Sequence, residues 1–222
     1  MATLELPLNE QKRVETLKRY NILDTPPDGA FDRITKLAAT IFKVPIAIIS
    51  LVDTDRIWFK SHYGLSINQI DRDPGLCASA ILSGDVYVVA DARNDPRTLT
   101  NPLVAGEFGL QFYAAMPLQT DEQHNLGTLC IIDKKPRTLT DEEKDILKQL
   151  AQIVMDEMEL RLALRNTVTN VKQLTSDLSY HLEETINDVQ FDNVANQKES
   201  ILGHLDASRI FLLNIENQLD QL

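Results

Sequence analysis

Two apolar stretches in the middle of the chain, separated by a short polar segment, predict the centre of the fold. Gln111 to Gln119 and Leu126 to Asp133 are rich in apolar residues, and the segment Thr120 to Asn125 between them is polar. Such a short link favours an antiparallel hairpin. Both strands are too apolar for an edge, so we expect them at the centre of a sheet. Pro117 has no N–H for a ladder hydrogen bond, which predicts a bulge or bend there, near the approach of a ligand.

The hydrophobic pattern predicts further strands and helices on both sides of this hairpin. Apolar and β-branched runs predict strands at Ile46 to Val52, Ile57 to Tyr63 and Val86 to Ala90. Helical spacing predicts helices at Asn9 to Tyr20, with Asn9 as N-cap, Phe31 to Phe42 and Leu76 to Leu82, and the capping box Thr140 to Glu143 begins a long fourth helix. Strands joined by short turns, with helices collected elsewhere, indicate an α+β domain with an antiparallel sheet.

The last part of the chain has a different pattern, with apolar residues at alternating steps of four and three. One series is Leu164, Val168, Val171, Leu178, Leu182 and Val189, and a second is Ile201, Leu205, Leu212, Ile215, Leu219 and Leu222. Such heptads are typical of coiled coils and helical hairpins, and the poor helix formers at Phe191 to Asn196 favour a break between the series. We therefore predict a domain over residues 1–164 and a helical extension over residues 165–222 that forms a homodimer.

Charge and cysteine usage exclude several classes of protein. The net charge is -11 and no cluster of Lys or Arg stands out, which argues against nucleic acid and anionic membrane surfaces as partners. No apolar run reaches the roughly 18 residues of a membrane span, and the first residues lack the apolar core of a signal peptide. Cys77 and Cys130 are far apart in sequence. Reduced thiols in the cytoplasm are the simplest interpretation.

Six segments in order resemble the GAF domain of bacterial signalling proteins. They are FDRITKLAATIFKVPIAIISLVD, DRIWFKS, RDPGLCASAI, VVADARNDPRTLTNPLV, LQFYAAMPL and LGTLCIIDKKPRTLTDEE. The resemblance runs from about Asn9 to about Leu164 and does not cover the helical extension. It implies five or six antiparallel strands, with helices on one face and, on the other, loops that can enclose a small molecule. Members of the family sense cyclic nucleotides, bilins, haem or small metabolites, and many dimerise.

The resemblance also implies where a ligand would lie. Phe112, Tyr113 and the irregular segment Asp91 to Gly109 would border the pocket. The sequence departs from the family at two places: Cys77-Ala78-Ser79 replaces Cys-Ala-His, and Ala115 replaces the glycine of Phe-Tyr-Ala-Gly. The first change removes a titratable ring, and the second adds a Cβ where the backbone would come close to a ligand. The asparagine-lysine-phenylalanine motif of cyclic-nucleotide GAF domains is missing, and the sequence assigns no cofactor.

Six residues are candidates for ligand binding, and each has a structural alternative. They are Trp58, Asp73, Cys77, Asp91, Phe112 and Tyr113. Trp58 would either stack on a planar ligand or close the core as a half-buried aromatic. For Asp73 and Asp91 we favour turn chemistry over a polar ligand. For Cys77 we favour packing over a ligand-touching or redox-sensing thiol, because free cysteine is among the most buried residue types.

These observations lead us to expect a cytoplasmic sensory module that is not an enzyme. It would bind a small molecule and pass a change through its helical extension to a signalling partner. Two alternatives stay open. Some GAF proteins reduce free methionine sulfoxide with cysteines, although the surroundings of Cys77 and Cys130 do not resemble that group. The chain could also be a structural dimerisation unit with a filled core. The four histidines are scattered, so no metal site is predicted.

Overall fold

Six antiparallel strands form one sheet in this computed structural model. The structure describes residue 7, residues 9–191 and residues 200–201, 203–204, 206–208, 210–211 and 214–215. The strands are β1 (Ile46–Val52), β2 (Arg56–Tyr63), β3 (Gln69–Asp71), β4 (Tyr87–Val89), β5 (Phe112–Gln119) and β6 (Asn125–Asp133). Their order across the sheet is β3-β2-β1-β6-β5-β4. The predicted α+β class with an antiparallel sheet is confirmed.

Five helices accompany the sheet in the described residues up to Phe191. They are α1 (Glu10–Arg19), α2 (Gly29–Phe42), α3 (Leu76–Ala80), α4 (Pro102–Ala105) and α5 (Asp141–Phe191). The capping box of α5 forms as predicted, since Thr140 N donates to Glu143 Oε2 at 2.9 Å and Glu143 N donates to Thr140 Oγ1 at 3.2 Å. Asn9 occupies the N-cap position of α1 as predicted, but its φ of 69° places it in the left-handed region and its side chain makes no cap hydrogen bond.

The hairpin β5–β6 keeps its register through Pro117, which pairs with Thr128. The irregularity lies instead between Leu118 and Gln119, so the prediction of a bulge at Pro117 is corrected. The reason is the length of the neighbouring strand. β4 begins at Tyr87, opposite Ala115, so residues 116–119 of β5 have no ladder partner in β4. A residue without an N–H is tolerated at such an edge.

Two short elements lie inside segments that the sequence predicts as loops. β3 lies in the predicted loop Leu65 to Gly75, and α4 lies in the irregular segment Asp91 to Gly109. Each has three or four residues, which is too short for a periodic pattern. β3 is held by pairing with β2, and α4 is started by Asn101, whose Oδ1 accepts from Leu103 N at 2.9 Å. Tertiary pairing and one local cap therefore produce both elements.

The two faces of the sheet are covered differently. The helix side is packed by α2, whose buried residues are Phe31, Thr35, Ala38, Ala39 and Phe42. The predicted apolar stripe of this helix included Leu37 and Ile41, but these residues are 48% and 41% exposed. The buried stripe is therefore rotated around the helix axis from the predicted one. The loop side is covered by α3, α4 and the segments around them, which form one apolar cluster with the sheet. The loop side carries the candidate site.

The chain divides into two compact units, Met1–Leu160 and Arg161–Leu222. Part of α5 belongs to each unit, and the division lies four residues before the predicted boundary at 164/165. No described helix is long and apolar enough to cross a membrane. In the second unit the rings of His181 and Phe211 lie 6.1 Å apart in an edge-to-face contact, so two helical segments meet there. The heptad positions Leu205, Leu212, Leu219 and Leu222, and residues 192–196 of the predicted break, lie outside the described residues.

Candidate functional site

A cavity of about 270 Å³ lies on the loop side of the sheet, and we call it the loop-side cavity. Its walls come from β1, β2, β5 and β6 below and from α3, α4 and the adjoining segments above. The lining residues are Ile48, Phe59, Leu65, Ile67, Ile70, Leu76, Cys77, Leu103, Phe108, Leu110, Tyr113 and Ile132. All are apolar apart from the thiol and the phenol. The volume is near the lower end of the roughly 300–1,000 Å³ typical of small-molecule pockets.

Strand alternation explains which side chains reach this cavity. Neighbouring residues of a strand point to opposite faces, so Ile48, Tyr113 and Ile132 face the loops. The roof is fixed by α4. Asn101 Nδ2 donates to Pro74 O at 2.8 Å and Leu110 N donates to Leu103 O at 3.0 Å. These bonds hold Leu103 and Leu110 above the sheet.

A buried group of polar side chains lies on the loop side beneath the cavity, and we call it the thiol cluster: Ser50, Cys77, Tyr113, Thr128 and Cys130. Each of them is at most 5% exposed. Tyr113 Oη donates to Cys77 Sγ at 3.3 Å, and Ser50 Oγ lies 2.9 Å from Thr128 Oγ1. Cys77 also lines the cavity. The cluster therefore places one thiol against the cavity and keeps the other in the core.

The two thiols of the cluster differ in acidity. A hydrogen bond from Cys130 lowers the pKa of Cys77, with smaller contributions from Ser50, Tyr113 and Thr128, against the opposing effect of burial. The same bond and burial raise the pKa of Cys130 well above its ordinary value. Burial, followed by the charge of the two cysteines, raises the pKa of Tyr113. The Cys77 sulfur is therefore the hydrogen-bond acceptor in the cluster, and Cys130 and Tyr113 keep their protons.

Two of the six candidate residues, Cys77 and Tyr113, line the loop-side cavity. Their contact with a ligand stays a prediction. Trp58 and Phe112 do not reach this cavity. Phe112 precedes Tyr113 on β5 and therefore faces the helix side, where the guanidinium of Arg137 lies 6.0 Å from its ring centroid. The expectation that Phe112 and Tyr113 border the same pocket is corrected by this alternation.

Trp58 also faces the helix side, and it lines a second, more polar cleft of about 450 Å³. Lys60 shares that face as the sequence predicts, with its Nζ 5.9 Å from the Trp58 ring centroid and 5.4 Å from that of Phe31. The Lys60 ammonium already has hydrogen-bond partners within the protein, since it donates to Thr25 Oγ1 at 2.8 Å and to Pro26 O at 2.9 Å. On β2 it is Phe59 that reaches the loop-side cavity.

Asp73 and Asp91 lie in loops and are not among the residues that line the loop-side cavity. Asp91 Oδ1 accepts from Arg93 N at 3.3 Å, and Asp91 Oδ2 accepts from Asn94 Nδ2 at 2.8 Å. This is the turn chemistry that the sequence favoured for Asp91. Asp73 is exposed and precedes a cis peptide bond to Pro74. Ligand contact by these two residues has no geometric support in the loop-side cavity.

Sequence reasoning missed Ser50 and Thr128. Both lie inside strands that are otherwise apolar, in IAIISLV and LGTLCIID. A polar residue in such a run is a signal, because a buried hydroxyl needs a partner. The partner is across the ladder, where Ser50 is opposite Thr128 in the pairing of β1 with β6. In the part of the chain that the structure describes, no group of three His, Cys, Asp or Glu residues could hold a metal ion.

A comparison against protein families agrees with the fold. The GAF domain model matches residues 26–158, which is more than half of the chain. The chain belongs to the GAF domain family. This confirms the resemblance identified in the six sequence segments. A signalling role is also supported by a similar curated protein, a cyclic di-GMP phosphodiesterase of Pseudomonas aeruginosa that is 42% identical over 156 residues.

That relative corrects one expectation. The sequence led us to predict that this protein is not an enzyme, and this prediction is contradicted because a protein 42% identical over 70% of the chain is an enzyme. The matched region spans 27% of the relative, about a quarter of its length. The phosphodiesterase activity is accordingly a property of that whole protein.

Two solved structures are similar to this chain at low sequence identity. The free methionine-R-sulfoxide reductase from Neisseria meningitidis, in complex with its substrate, is 19% identical with a TM-score of 0.50, covering 72% of this chain and 96% of that one. The GAF domain of a phosphoenolpyruvate-protein phosphotransferase from Acinetobacter is 17% identical with a TM-score of 0.48, covering 72% and 98%. At 19% identity the likeness to the reductase concerns the fold alone.

Proposed function

We propose that this GAF domain is the sensory part of a signalling system that controls cyclic di-GMP breakdown, and that its loop-side cavity binds the signal. The main observation in support is the cavity of about 270 Å³, whose lining combines apolar side chains with one thiol and one phenol. The relative named as a cyclic di-GMP phosphodiesterase supports the choice of system. Free thiols at both cysteines are consistent with placing this function in the cytoplasm.

The lining defines the chemical class of the ligand. A charged group loses its hydration on entering such a cavity, and the lining contains no Asp, Glu, Lys, Arg or His to pair with it, which is costly. The Tyr113 hydroxyl already donates to Cys77. We therefore propose a small, uncharged, mainly apolar molecule as the ligand. An open cavity favours this function over a structural unit with a filled core.

Ligand binding can be tested with a matched pair of tryptophan substitutions. Leu103 lines the cavity, whereas Leu99 precedes α4 in the same segment and is 53% exposed. Leu103→Trp should fill the cavity and Leu99→Trp should not. A panel of small aromatic and aliphatic alcohols is screened by thermal unfolding. A ligand at a hundredfold excess over its Kd should stabilise the wild type and Leu99→Trp by about 2.7 kcal/mol, and Leu103→Trp much less.

Native mass spectrometry of the freshly purified chain gives an independent measurement. A bound small molecule in the wild type, absent from Leu103→Trp, would support the proposal. Equal ligand stabilisation of both tryptophan variants would place the binding site elsewhere. A wild type that neither carries a molecule nor is stabilised by any member of the panel would refute the proposed sensing role.

We further propose that the helical extension passes the signal on as a homodimer. Leu164, Val168 and Val171 repeat at heptad spacing, and they are 62%, 44% and 47% exposed in the single chain. Covering each large apolar side chain contributes roughly 1.5–3 kcal/mol. A second copy of the chain presents the same apolar stripe, so the two stripes can cover each other. The resulting dimer brings two GAF domains together, and both then act on the same output. A signalling partner would then respond to the state of the pair.

The dimer can be tested by analytical ultracentrifugation. Val171→Asp places a charge in the proposed seam, whereas Asn170→Asp places the same charge on a neighbouring exposed position. We expect the first variant to sediment as a monomer at micromolar concentration and the second to remain a dimer. A monomeric wild type would overturn this part of the proposal without affecting ligand binding.

A further inference from the structure

The thiol cluster has features that neither packing nor ligand binding uses. Two cysteines on different elements, one on α3 and the other on β6, lie close enough for each to shift the pKa of the other. Their positions differ in access, because Cys77 lines the loop-side cavity and Cys130 is fully buried behind it. Ordinary core packing requires neither a pair of neighbouring thiols nor a thiol that borders the cavity.

We propose that Cys77 and Cys130 are a reactive dithiol, which a small apolar hydroperoxide entering the loop-side cavity converts into an intramolecular disulfide. The proposal requires the cavity but does not require the regulatory ligand proposed above. The apolar lining selects the class of oxidant, because an ionic oxidant would lose its hydration without compensation.

The arrangement gives the two cysteines different roles. Tyr113 Oη donates to Cys77 Sγ at 3.3 Å, and such donation favours the thiolate, which is the nucleophilic form. Cys77 is therefore the attacking residue, since it also borders the cavity. Cys130 keeps its proton and is the neighbouring thiol in the same cluster, so it is the residue that completes the disulfide.

The reaction balances with the hydroperoxide as the single oxidant. The Cys77 thiolate attacks one peroxide oxygen, the O–O bond breaks, and Cys77 becomes a sulfenic acid. The alkoxide leaves and takes up the proton that the Cys77 thiol had released, which gives an alcohol. Cys130 then attacks the Cys77 sulfur, an S–S bond forms, and hydroxide leaves as water with the Cys130 proton. Two thiols lose two electrons, and the hydroperoxide is reduced to alcohol and water.

The experiment treats the full folded chain with tert-butyl hydroperoxide at neutral pH. Free thiols are then alkylated after unfolding, and the digest is analysed by mass spectrometry. We expect the two thiols to disappear together and a peptide linked through Cys77 and Cys130 to appear. Persistence of both free thiols while methionine is oxidised would overturn the proposal.

Two cysteine variants test the assigned roles. Cys130→Ser should stop at the sulfenic acid of Cys77, which dimedone captures, whereas Cys77→Ser should leave Cys130 unmodified. Dimedone labelling of Cys130 in Cys77→Ser, at the rate seen for Cys77 in the other variant, would contradict the assignment. The wild-type measurement stands on its own if either variant fails to fold.

Two further variants test the cluster and the route of entry. Tyr113→Phe removes a donor to the Cys77 sulfur, so we expect disulfide formation at neutral pH to slow and the pH midpoint of its rate to shift upward, because a smaller fraction of Cys77 is then thiolate. Leu103→Trp should slow the reaction with tert-butyl hydroperoxide, and Leu99→Trp should retain the wild-type rate. Equal rates in all three variants and the wild type would show that neither the cavity nor the cluster directs the reaction.

Discussion

The two faces of the sheet are built from the same strands and yet differ in how they are covered. On the helix side, α2 places Phe31, Ala38 and Phe42 against the strands, and each of these residues is fully buried. On the loop side, helices of five and four residues and irregular segments cover the sheet and leave a cavity of about 270 Å³. A long helix presents a continuous stripe that packs closely. Short elements leave gaps, and a gap can hold a ligand.

The helix side contains polar groups as well, but they are paired. Ser61 Oγ donates to Asp32 Oδ1 at 2.6 Å and lies 2.9 Å from Thr35 Oγ1. Arg137 donates to the backbone oxygen of Phe42 and to Glu143, which joins the start of α5 to the end of α2. These contacts tie α2 to the sheet and to α5. These contacts connect α2 and α5 on the helix side, whereas the loop side carries the cavity.

The largest expected difference between the faces comes from deleting a phenylalanine ring on each. Phe31 is fully buried on the helix side, whereas Phe108 is partly buried and lines the cavity. Phe31→Ala should lower the free energy of unfolding by about 3–5 kcal/mol. Phe108→Ala should cost less than about 2 kcal/mol, because less surface is buried and an opening already exists beside the ring. Urea unfolding measures both, and equal losses would show that the faces are equally well packed.

Enlarging a side chain on each face should give a smaller difference. Ala38 is fully buried on α2, and Leu65 is a partly buried residue of the cavity lining. Ala38→Leu should destabilise the protein by about 1–3 kcal/mol through overpacking. Leu65→Phe should cost less than about 1.5 kcal/mol, since the added atoms can enter the cavity. Thermal unfolding measures both changes, and a larger cost for Leu65→Phe would contradict an open cavity.

The free energy of unfolding should depend on pH through Glu143, at the start of α5. The hydrogen bond from the Thr140 backbone N–H is the main cause that lowers the pKa of Glu143. Because the folded-state pKa is lowered, this carboxylate stabilises the fold above its unfolded-state pKa of about 4.3. The contribution is lost as the pH falls through the lower folded-state value. Wild type should exceed Glu143→Gln in stability at pH 7, by no more than about 1 kcal/mol for this partly exposed group, and the two should converge at low pH.

The measurement is urea unfolding of both proteins between pH 7 and pH 2. Glu142→Gln is the matched control, because Glu142 is exposed and one residue away on the same helix. Its difference from the wild type should be smaller across this range. A Glu143→Gln difference that persists unchanged at pH 2 would show that the effect is not the carboxylate's charge.

The smallest expected effect is spectroscopic. Trp58 is the single tryptophan and lies on the helix side, with its ring 5.9 Å from Lys60 Nζ. A ligand that enters the loop-side cavity should therefore leave the Trp58 emission nearly unchanged. Titration at constant protein concentration measures this directly. A large quench that saturates with the thermal stabilisation would place the ligand in the more polar cleft beside Trp58.

The sequence by itself determined five of the six strands, most of the helices and the family. Long apolar runs and helical stripes are local patterns, and the capping box at Thr140 and Glu143 formed as its residue types require. Alternation also predicted that Trp58 and Lys60 share a face and that Phe59 takes the other. These features depend on neighbours within one segment, and a single sequence contains that information.

Only the tertiary structure decided which face of each strand meets the cavity and which residues meet across elements. Alternation assigns Phe112 and Tyr113 to opposite faces but does not say which face the loops cover. Cys77 and Cys130 are 53 positions apart in sequence and meet through the packing of α3 on β6. The buried Arg72 likewise finds Glu10 at 2.6 Å, 62 positions away. Such contacts depend on how separate segments pack in three dimensions, and no local pattern in the sequence specifies that packing.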